Sequence, residues 1–340
     1  MSLILGIESS CDDTATAVVE NGVRILATWT STQAVHEKYG GIVPELASRD
    51  HLRQVLPAVR VVLERADVSL DEIDAIAVTH GPGLVGSLLV GVSFAQGISL
   101  ARGIRTIAVN HLHAHLLVHR VHAPDLEWPV LGLLVSGGHT ELVRMDGPNS
   151  MRVLGATRDD AAGEAFDKVG KLVDLAFPAG PIIDRLARGG DPDAVSFPRA
   201  MLKPSGNLDF SFSGLKTAVA QHVRSRMSAG GRPLAEDERN DLLASFQEAV
   251  VDVLVKKTVL AADRQGLSRV VLAGGVAANT RLRTELEAEL RTIGARLITS
   301  PPELCTDNGT MVAVAAEQMI RAGTAEPVRN AEPNLPVCRP

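Results

Sequence analysis

The sequence contains few aromatic residues and few cysteines. Aromatic residues make up 3% of its 340 residues, whereas 45% are hydrophobic. Aliphatic side chains must therefore fill the core, and a chain of this length favours two domains. The three cysteines, Cys11, Cys305 and Cys338, are too few and too widely spaced for a disulfide framework. We therefore expect a reducing compartment, the cytoplasm.

The chain also lacks a dominant charge and a signal-peptide core. Its formal net charge is -6, so any contact with RNA needs a local basic patch or a partner protein. Glu8, Asp12 and Asp13 interrupt the N-terminal apolar run. Residues 81–101 carry no charge and are long enough to cross a bilayer. Because this run contains a proline, a glutamine and several glycines and serines, we expect a buried, closely packed helix and no membrane contact.

The densest group of chemically active side chains begins at residue 111. Five of the ten histidines fall within residues 111–122, directly after the apolar run of residues 106–109. This pattern predicts a strand followed by a helix. His111 and His115 are then i,i+4 neighbours on one helix face, close enough to bind one metal ion. A polar helix face that contains histidines by chance is the alternative.

Predicted strands alternate with predicted helices. Residues 3–8 form an apolar run typical of a buried strand, residues 15–19 return after a polar turn, and residues 73–78 form another strand. Residues 44–66 show helical spacing of apolar side chains, with Pro57 as a point where the helix would bend or break. The alternation predicts an α/β fold.

The order of these elements then repeats. Leu5-Gly6, Ser10 and Thr14 recur 126 residues later as Leu131-Gly132, Ser136 and Thr140. Residues 270–275 and 296–299 likewise echo the strand at residues 76–78 and the strand before His111. Unless these matches are a coincidence, they predict two duplicated α/β lobes facing each other across a cleft. We expect a first lobe at residues 1–127, a second at 128–325 with an insertion at about 157–262, and a tail at 326–340.

Two glycine pairs follow predicted strands at matching places in the repeat. They are Gly137-Gly138 and Gly274-Gly275. Backbone without side chains can approach a phosphate and direct its N–H groups at the oxygens, so these loops suit a nucleotide. An ordinary hairpin turn is the alternative for the first pair. Neither loop has the Walker pattern or the spacing of a dinucleotide fingerprint.

Asp307 follows the strand that corresponds to the one before His111. Strand ends at matching places should open on the same cleft, which would bring Asp307 to His111 and His115. One carboxylate and two imidazoles suit Zn²⁺ or Fe²⁺. The alternative is that Asp307 caps the helix predicted at residues 308–321.

Five motifs together resemble the tRNA threonylcarbamoyladenosine transferases, the bacterial TsaD family. The resemblance covers residues 3–320. It rests on Gly6-Ile7-Glu8-Ser9-Ser10-Cys11-Asp12, Tyr39-Gly40-Gly41-Ile42-Val43-Pro44-Glu45-Leu46-Ala47-Ser48-Arg49, residues 110–115, Ser136-Gly137-Gly138-His139-Thr140 and Asp209-Phe210-Ser211-Phe212-Ser213-Gly214-Leu215-Lys216-Thr217.

The resemblance implies an actin-like, sugar-kinase-like fold of two lobes around a nucleotide cleft. It implies transfer of a threonylcarbamoyl group from its adenylate to N6 of the adenosine 3′ of the anticodon, in tRNAs that read codons beginning with A. The implied partners are tRNA, a smaller paralogous TsaB-like subunit and a TsaE-like ATPase subunit. The implied metal is one divalent ion, Fe²⁺ or else Zn²⁺, and ATP or AMP are alternatives to the adenylate.

Site residues are carried over from the family by position. His111, His115 and Asp307 match its metal ligands. The positions that match its adenylate-binding residues are Leu134, Val135, Ser136, Gly137, Gly138, Asp167, Gly180, Asp184 and Asn279. Asp12 is the candidate to accept the proton of the amine, and a turn aspartate bonded to nearby backbone is its alternative. The family often has Glu where this chain has Asp13, which weakens any reactive role for that position.

Two other functions fit parts of the pattern. A zinc metalloprotease of the zincin type needs Glu directly after the first His, but Leu112 stands there. An ATP-dependent phosphotransferase or ATPase would share the fold without needing two imidazoles. A non-catalytic scaffold is disfavoured because the metal and glycine-loop residues are all present.

Two surfaces are candidates for macromolecular contacts. The helices at residues 44–63 and 84–100 are the expected interface with the paralogous subunit, unless both pack wholly within their own lobe. In the insertion, Arg199, Lys203 and Lys216 lie near Phe210 and Phe212, a combination that suits the tRNA anticodon loop. Core phenylalanines and ordinary solvated charges are the alternative.

Overall fold

The computed structural model describes residues 2–202, 206–230 and 234–338. The chain divides into two compact units. The first comprises Met1–Trp128, Met145–Arg152 and Ser300–Pro340, and the second comprises Pro129–Arg144 and Val153–Thr299. Residues 300–325, which the sequence analysis assigned to the second lobe, thus group with the first unit.

The described residues form two five-stranded sheets. The first has the order β3-β2-β1-β4-β5 and the second the order β10-β9-β6-β7-β8. The strands are β1 (Leu3–Glu8), β2 (Asp13–Glu20), β3 (Arg24–Thr32), β4 (Ala75–Gly81), β5 (Arg105–Asn110), β6 (Val130–Val135), β7 (Thr140–Gly147), β8 (Ser150–Ala156), β9 (Arg269–Ala273) and β10 (Arg296–Thr299).

The second sheet, taken from β8 to β10, has the same order as the first, with β6 to β10 in the places of β1 to β5. This agreement supports the predicted duplication. In the first, β1 pairs in parallel with β4, with Gly6 opposite Ala77. In the second, β6 pairs in parallel with β9, with Gly132 opposite Val271. Gly6 and Gly132 are the residues that the sequence repeat equates, so the repeat extends to the register of strand pairing.

Helices connect these strands within the described residues. They are α1 (Pro44–Ala66), α2 (Val85–Arg102), α3 (His111–Leu117), α4 (Ala162–Leu172), α5 (Gly180–Ala187), α6 (Ser213–Gly230), α7 (Glu236–Gln265), α8 (Thr280–Thr292) and α9 (Gly309–Arg321). Short 3-10 turns lie at Ala34–Tyr39, Leu70–Glu72, Val118–Val121, Gly275–Ala278 and Pro302–Leu304. Helix α1 continues through Pro57.

The first sheet is covered by helices on both faces. Alternate residues of β4 point to opposite sides, because side chains alternate along a strand. Ala75 and Ala77 belong to the apolar cluster that contains α9, whereas Ile76 and Val78 belong to the cluster that contains α1 and α2. A strand buried on both faces reads as a continuous apolar run, which is why these strands were recognisable in the sequence.

Helix α9 packs on the first sheet through two glycines. A Cβ at Gly6 would collide with the carbonyl of Gly309, and a Cβ at Gly309 would collide with the backbone of Thr16. The missing side chains let the start of α9 approach β1 and β2 closely. This contact explains why residues 300–321 group with the first unit, and it places Asp307, two residues before the helix, beside that sheet.

Helix α2, whose only charged residue is Arg102 at its end, is only partly buried. By length and composition it could cross a membrane, but a core helix of a soluble protein passes the same test, and 28% of the helix is buried. Leu88, Val92 and Ala95 are buried, whereas Val85, Leu89 and Leu100 are exposed. The expectation of a buried, closely packed helix therefore holds for the face that packs on α1 and β4, and it is wrong for the face that carries the exposed residues.

Candidate functional site

The start of α3 is set by a side-chain cap. The Asn110 Oδ1 accepts hydrogen bonds from the backbone N–H groups of Leu112 at 2.8 Å and His113 at 3.4 Å. An Asn at this position satisfies N–H groups that have no partner within the helix. The helix therefore begins at His111, directly after β5. His111 and His115 then lie on one face, with ring centroids 4.7 Å apart and planes at 87°.

Asp307 meets both imidazoles. Its Oδ1 lies 3.0 Å from His115 Nε2 and 3.6 Å from His111 Nε2. One ligand atom from each of the three residues lies within 4.8 Å of the others. The predicted capping role of Asp307 is wrong, because the cap of α9 is Asn308, whose Oδ1 accepts from Met311 N at 2.8 Å.

A fourth residue, Glu8, orients His111, and the sequence analysis did not assign it to the site. Glu8 Oε2 accepts a hydrogen bond from His111 Nδ1 at 3.1 Å and another from the Thr79 hydroxyl at 2.7 Å. Glu8 Oε1 accepts from the backbone N–H of Ser10 at 2.6 Å. The position of Glu8 in the sheet could have indicated this contact. Glu8 is the last residue of β1, and His111 directly follows β5, which lies two strands from β1 in the same sheet.

Charge in this cluster favours an imidazole cation and two carboxylates. Burial alone would lower the pKa of His111, but Asp307 and Glu8 raise it to about 9. Burial would raise the pKa of Asp307 and of Glu8, yet the neighbouring His111 holds both below their usual values. A divalent cation held by Asp307 would displace the proton on His111 Nε2, whereas Nδ1 would still donate its proton to Glu8.

The arrangement fits a metal ion on two independent grounds. The Nε2 atoms of both histidines face one carboxylate oxygen, so three donor atoms converge. The other ring nitrogen of His111 donates to a buried carboxylate, and metal-binding histidines characteristically make such a second bond. The site of His111, His115 and Asp307 therefore has the donor set and the supporting hydrogen bond of a divalent-metal centre.

Two acidic residues at the start of β2, Asp12 and Asp13, have raised pKa values. Burial, followed by the negative charge of Asp307, raises the pKa of Asp12. The same causes raise the pKa of Asp13 to about 7. Burial also raises the pKa of the neighbouring Cys11 thiol, so this cysteine is no ready nucleophile. The sequence favoured Asp12 over Asp13 for proton transfer, but the pKa of Asp13 lies near neutrality.

The first predicted phosphate loop is a closed turn after β6. Ser136 N donates to His139 O at 2.8 Å, and Ser136 Oγ accepts from His139 N at 3.1 Å. A Cβ at Gly137 or Gly138 would meet no described protein atom within 4 Å, so open space surrounds this backbone. Leu134 and Val135 are buried as whole residues, at 0% exposure each.

The remaining predicted adenylate residues already have protein partners. Asp167 Oδ1 accepts from Ala179 N at 2.8 Å, just before Gly180 begins α5. Gly180 and Pro181 open the first turn of α5, a place that suits proline, and Asp184 lies inside that helix.

Asp184 and Asn279 meet at the start of α8. The Asp184 carboxylate accepts from the Thr280 hydroxyl at 2.7 Å and from Thr280 N at 3.2 Å. Asn279 caps the helix by accepting from Leu282 N at 2.9 Å. Its Nδ2 donates to Gln247 Oε1 at 2.8 Å. Both side chains are thus held in fixed orientations within the second unit.

The proposed RNA-stacking role of the two phenylalanines is wrong. Phe210 is 0% and Phe212 1% exposed, and their rings stack on each other with centroids 6.3 Å apart. Arg199 pairs with Asp252, and Lys216 pairs with Asp160. Lys203 lies outside the described residues. The period-two spacing of the phenylalanines reflected burial, which was the alternative interpretation.

Known structures share the fold. HypF from T. kodakarensis superposes with a TM-score of 0.63 at 15% identity, covering 94% of this chain and 48% of that one. Component A of the (R)-2-hydroxyglutaryl-CoA dehydratase of Acidaminococcus fermentans superposes with a TM-score of 0.53 at 17% identity, covering 94% of this chain and 100% of that one. With the two matching sheets, these likenesses confirm the predicted actin-like, sugar-kinase-like α/β fold.

Sequence comparison is more specific. Residues 24–314 match the sequence model of the family described as TsaD, tRNA N6-adenosine threonylcarbamoyltransferase. A protein of that name from Symbiobacterium thermophilum is 52% identical over 98% of this chain and 96% of its own length. Another protein of that name, from Anaeromyxobacter dehalogenans, is 51% identical over 98% of this chain and 99% of its own length. These matches favour neither the protease nor the phosphotransferase alternative. The chain therefore belongs to the tRNA N6-adenosine threonylcarbamoyltransferase family, whose substrate is tRNA.

Proposed function

We propose that the chain transfers the threonylcarbamoyl group of threonylcarbamoyl-adenylate to N6 of the adenosine 3′ of the anticodon, in tRNAs that read codons beginning with A. The observation that carries this proposal is the convergence of His111, His115 and Asp307, with Glu8 behind His111. Family membership supplies the reaction class, and the side chains of this cluster supply a site suited to it.

His111, His115 and Asp307 would hold one divalent ion. Two imidazoles and one carboxylate suit Fe²⁺ and Zn²⁺, and we propose Fe²⁺ from the family resemblance. A bound ion of this kind polarises a carbonyl oxygen and stabilises the negative charge that develops on it. Glu8 fixes the ring orientation of His111, so that its Nε2 is presented toward Asp307.

The second unit would bind the adenylate. The open backbone of Gly137 and Gly138 suits its phosphate, since N–H groups there can point at phosphate oxygens. The other residues proposed for the adenylate are Leu134, Val135, Ser136, Asp167, Gly180, Asp184 and Asn279. The bond between the carbamoyl carbon and the phosphate oxygen breaks, and AMP leaves.

The incoming amine needs positioning and a proton acceptor. The exocyclic amine is a weak nucleophile because its lone pair is delocalised into the purine ring, so alignment should supply much of the rate. As the new N–C bond forms, the amine loses a proton. We propose that Asp12 accepts it, since burial raises the pKa of this carboxyl and makes it a better base than an exposed aspartate.

The partner proteins follow from the resemblance and from an exposed apolar surface. Leu52 is 66% and Leu56 45% exposed on α1, and Val85 is 55% and Leu89 47% exposed on α2. Helices α1 and α2 pack against each other. We propose that this α1–α2 face binds the smaller paralogous TsaB-like subunit, that a TsaE-like ATPase joins the complex, and that it acts in the cytoplasm.

A defined assay tests the reaction. The purified chain, with the paralogous and ATPase subunits of its own organism, would be incubated with threonylcarbamoyl-adenylate and unmodified tRNA. Digestion to nucleosides and mass spectrometry should show threonylcarbamoyladenosine. A tRNA with guanosine in place of the adenosine 3′ of the anticodon is the matched control. Absence of product from the first tRNA, with adenylate and tRNA both bound, would refute the proposal.

A further inference from the structure

The C-terminal segment, residues 326–338, is docked on the first unit. Ala108 N donates to Glu326 O at 2.9 Å, and Glu332 N donates to His80 O at 2.7 Å. Val328, Leu335 and Val337 are buried, at 6%, 6% and 4% exposure. Backbone bonds and apolar anchors thus hold this segment along the ends of β4 and β5. The segment is therefore an integral part of the first unit.

The end of this segment contacts the metal-ligand helix directly. Asn110 Nδ2 donates to Pro336 O at 2.9 Å, and His113 Nε2 donates to Val337 O at 2.7 Å. Asn110 is the residue whose Oδ1 caps α3. Two consecutive carbonyls of the C-terminal segment therefore hold the cap and the first turn of the helix that carries His111 and His115.

These hydrogen bonds matter because packing at this place is incomplete. A cavity of about 330 Å³ lies under the segment, lined among others by His80, Asn110, His113, Leu335 and Val337. An apolar contact that borders a cavity restrains its neighbours less than a close-packed one. The two side-chain bonds to Pro336 O and Val337 O are therefore the specific connection between the segment and α3.

A second connection links the C-terminal segment to His111 by way of β4. Gly83 N donates to Pro333 O at 3.1 Å, and the segment binds the His80 carbonyl through Glu332. The residue before His80 is Thr79, whose hydroxyl donates to Glu8 Oε2, the oxygen that also accepts from His111. The segment thus flanks both supports of His111, its helix and its carboxylate partner.

We propose that residues 326–338 position the metal ligands, and that Asn110 and His113 transmit this effect as positioning residues. The inference rests on the proposed metal site at His111, His115 and Asp307. It assigns to the C-terminal segment a role in metal affinity, although none of its residues is a ligand. Loss of a group that hydrogen-bonds directly to a metal ligand lowers metal affinity about 10–100-fold in other metal sites, and this figure sets the scale of the effect expected here.

The test separates the bond to the segment from the cap itself. Asn110→Ser keeps a side-chain oxygen suited to the cap, but the hydroxyl is too short to reach Pro336 O. A second variant ends the chain after Asn334. Gln96→Ala is the control, because Gln96 Nε2 donates to Val328 O and Arg329 O, far along the segment from α3. Zn²⁺ affinity by chelator competition and hydrogen exchange of the α3 amides are both measured.

We expect Asn110→Ser and the shortened chain to lose about 10–100-fold in Zn²⁺ affinity and to exchange their α3 amides faster, while Gln96→Ala keeps both values. Unchanged affinity and exchange in Asn110→Ser would overturn the inference, as would an equal loss in Gln96→Ala. If the unaltered protein binds no Zn²⁺, the proposed metal site fails, and the exchange rates of α3 alone decide whether the segment holds this helix.

Discussion

Glu8 Oε2 lies 3.1 Å from His111 Nδ1, so a fully buried carboxylate orients an imidazole that the chain places 103 residues later. The pair joins the end of β1 to the start of α3. Its consequence is that His111 donates from Nδ1 and keeps Nε2 for Asp307 or a metal ion. The chemistry expected of this site depends on that division of the two ring nitrogens.

Removing either imidazole should abolish metal binding. His111→Ala and His115→Ala each delete one of three converging donors, so we expect loss of bound metal and of transfer activity with the fold retained. His122→Ala is the matched control, because this histidine is outside the donor group. Metal content by mass spectrometry and circular dichroism provide the measurements. Full metal occupancy in either first variant would refute the assignment.

Glu8→Gln should weaken the metal site without removing a ligand. The amide keeps the volume of the side chain but replaces a charged acceptor, so His111 loses its strongest orienting bond. We expect metal affinity to fall about 10–100-fold. Glu45→Gln, at an exposed position on α1, is the control. Equal affinities for the two variants would show that Glu8 does not act through His111.

Metal uptake should release a proton near neutral pH. The pKa of His111 is raised to about 9 by Asp307 and Glu8 in opposition to burial, so Nε2 carries a proton that the metal must displace. We expect Zn²⁺ affinity to rise about tenfold per pH unit until about pH 9. Calorimetry in buffers of different ionisation enthalpy counts the protons. Binding at pH 7.5 without proton release would contradict this expectation.

The raised pKa of His111 also predicts how the stability of the metal-free protein depends on pH. A folded pKa above the unfolded value of about 6.5 means that the folded state holds the extra proton more tightly. His111 should therefore stabilise the metal-free protein fully below about pH 6.5, and this contribution should disappear as pH rises through about 9. Urea unfolding of the metal-free protein measures it. His111→Gln should flatten this part of the pH profile.

Two glycine substitutions test how α9 is held. Gly309→Ala forces a Cβ into the backbone of Thr16, so we expect a loss of at least about 1–3 kcal/mol in the free energy of unfolding. It should also weaken metal binding by moving Asp307. Gly97→Ala is the control, since a Cβ there meets no described atom within 4 Å and an alanine favours the helix by about 1 kcal/mol. Equal stability of the two variants would contradict the close packing.

The α1–α2 face should bind the paralogous subunit. Leu52→Glu and Leu89→Glu place a charge on exposed apolar positions, so we expect weaker association and little change in the stability of the chain itself. Val153→Glu, at a partly exposed position on β8, is the control. Calorimetric titration with the paralogue measures the affinity. Unchanged affinity in both α1–α2 variants would place the interface elsewhere.

The sequence by itself determined the features that depend on local pattern and on repetition. Buried strands, the helix at Pro44–Ala66 and the i,i+4 placement of His111 and His115 follow from spacing along the chain. The repeat equated Gly6 with Gly132, and strand pairing has the same register at both. The strands and helices are visible in the sequence because side chains a few positions apart share one face of a strand or helix.

The sequence repeat predicted that Asp307 would meet His111 and His115, but the tertiary structure alone decided the other contacts between distant residues. It brought Glu8 to His111, packed α9 through Gly6 and Gly309, buried Phe210 and Phe212, and placed the carbonyls of Pro336 and Val337 on α3. A period-two pair of phenylalanines is the same in sequence whether it is buried or exposed. Contacts across hundreds of residues depend on how faces pack, and packing depends on volumes and missing side chains that no local periodicity encodes.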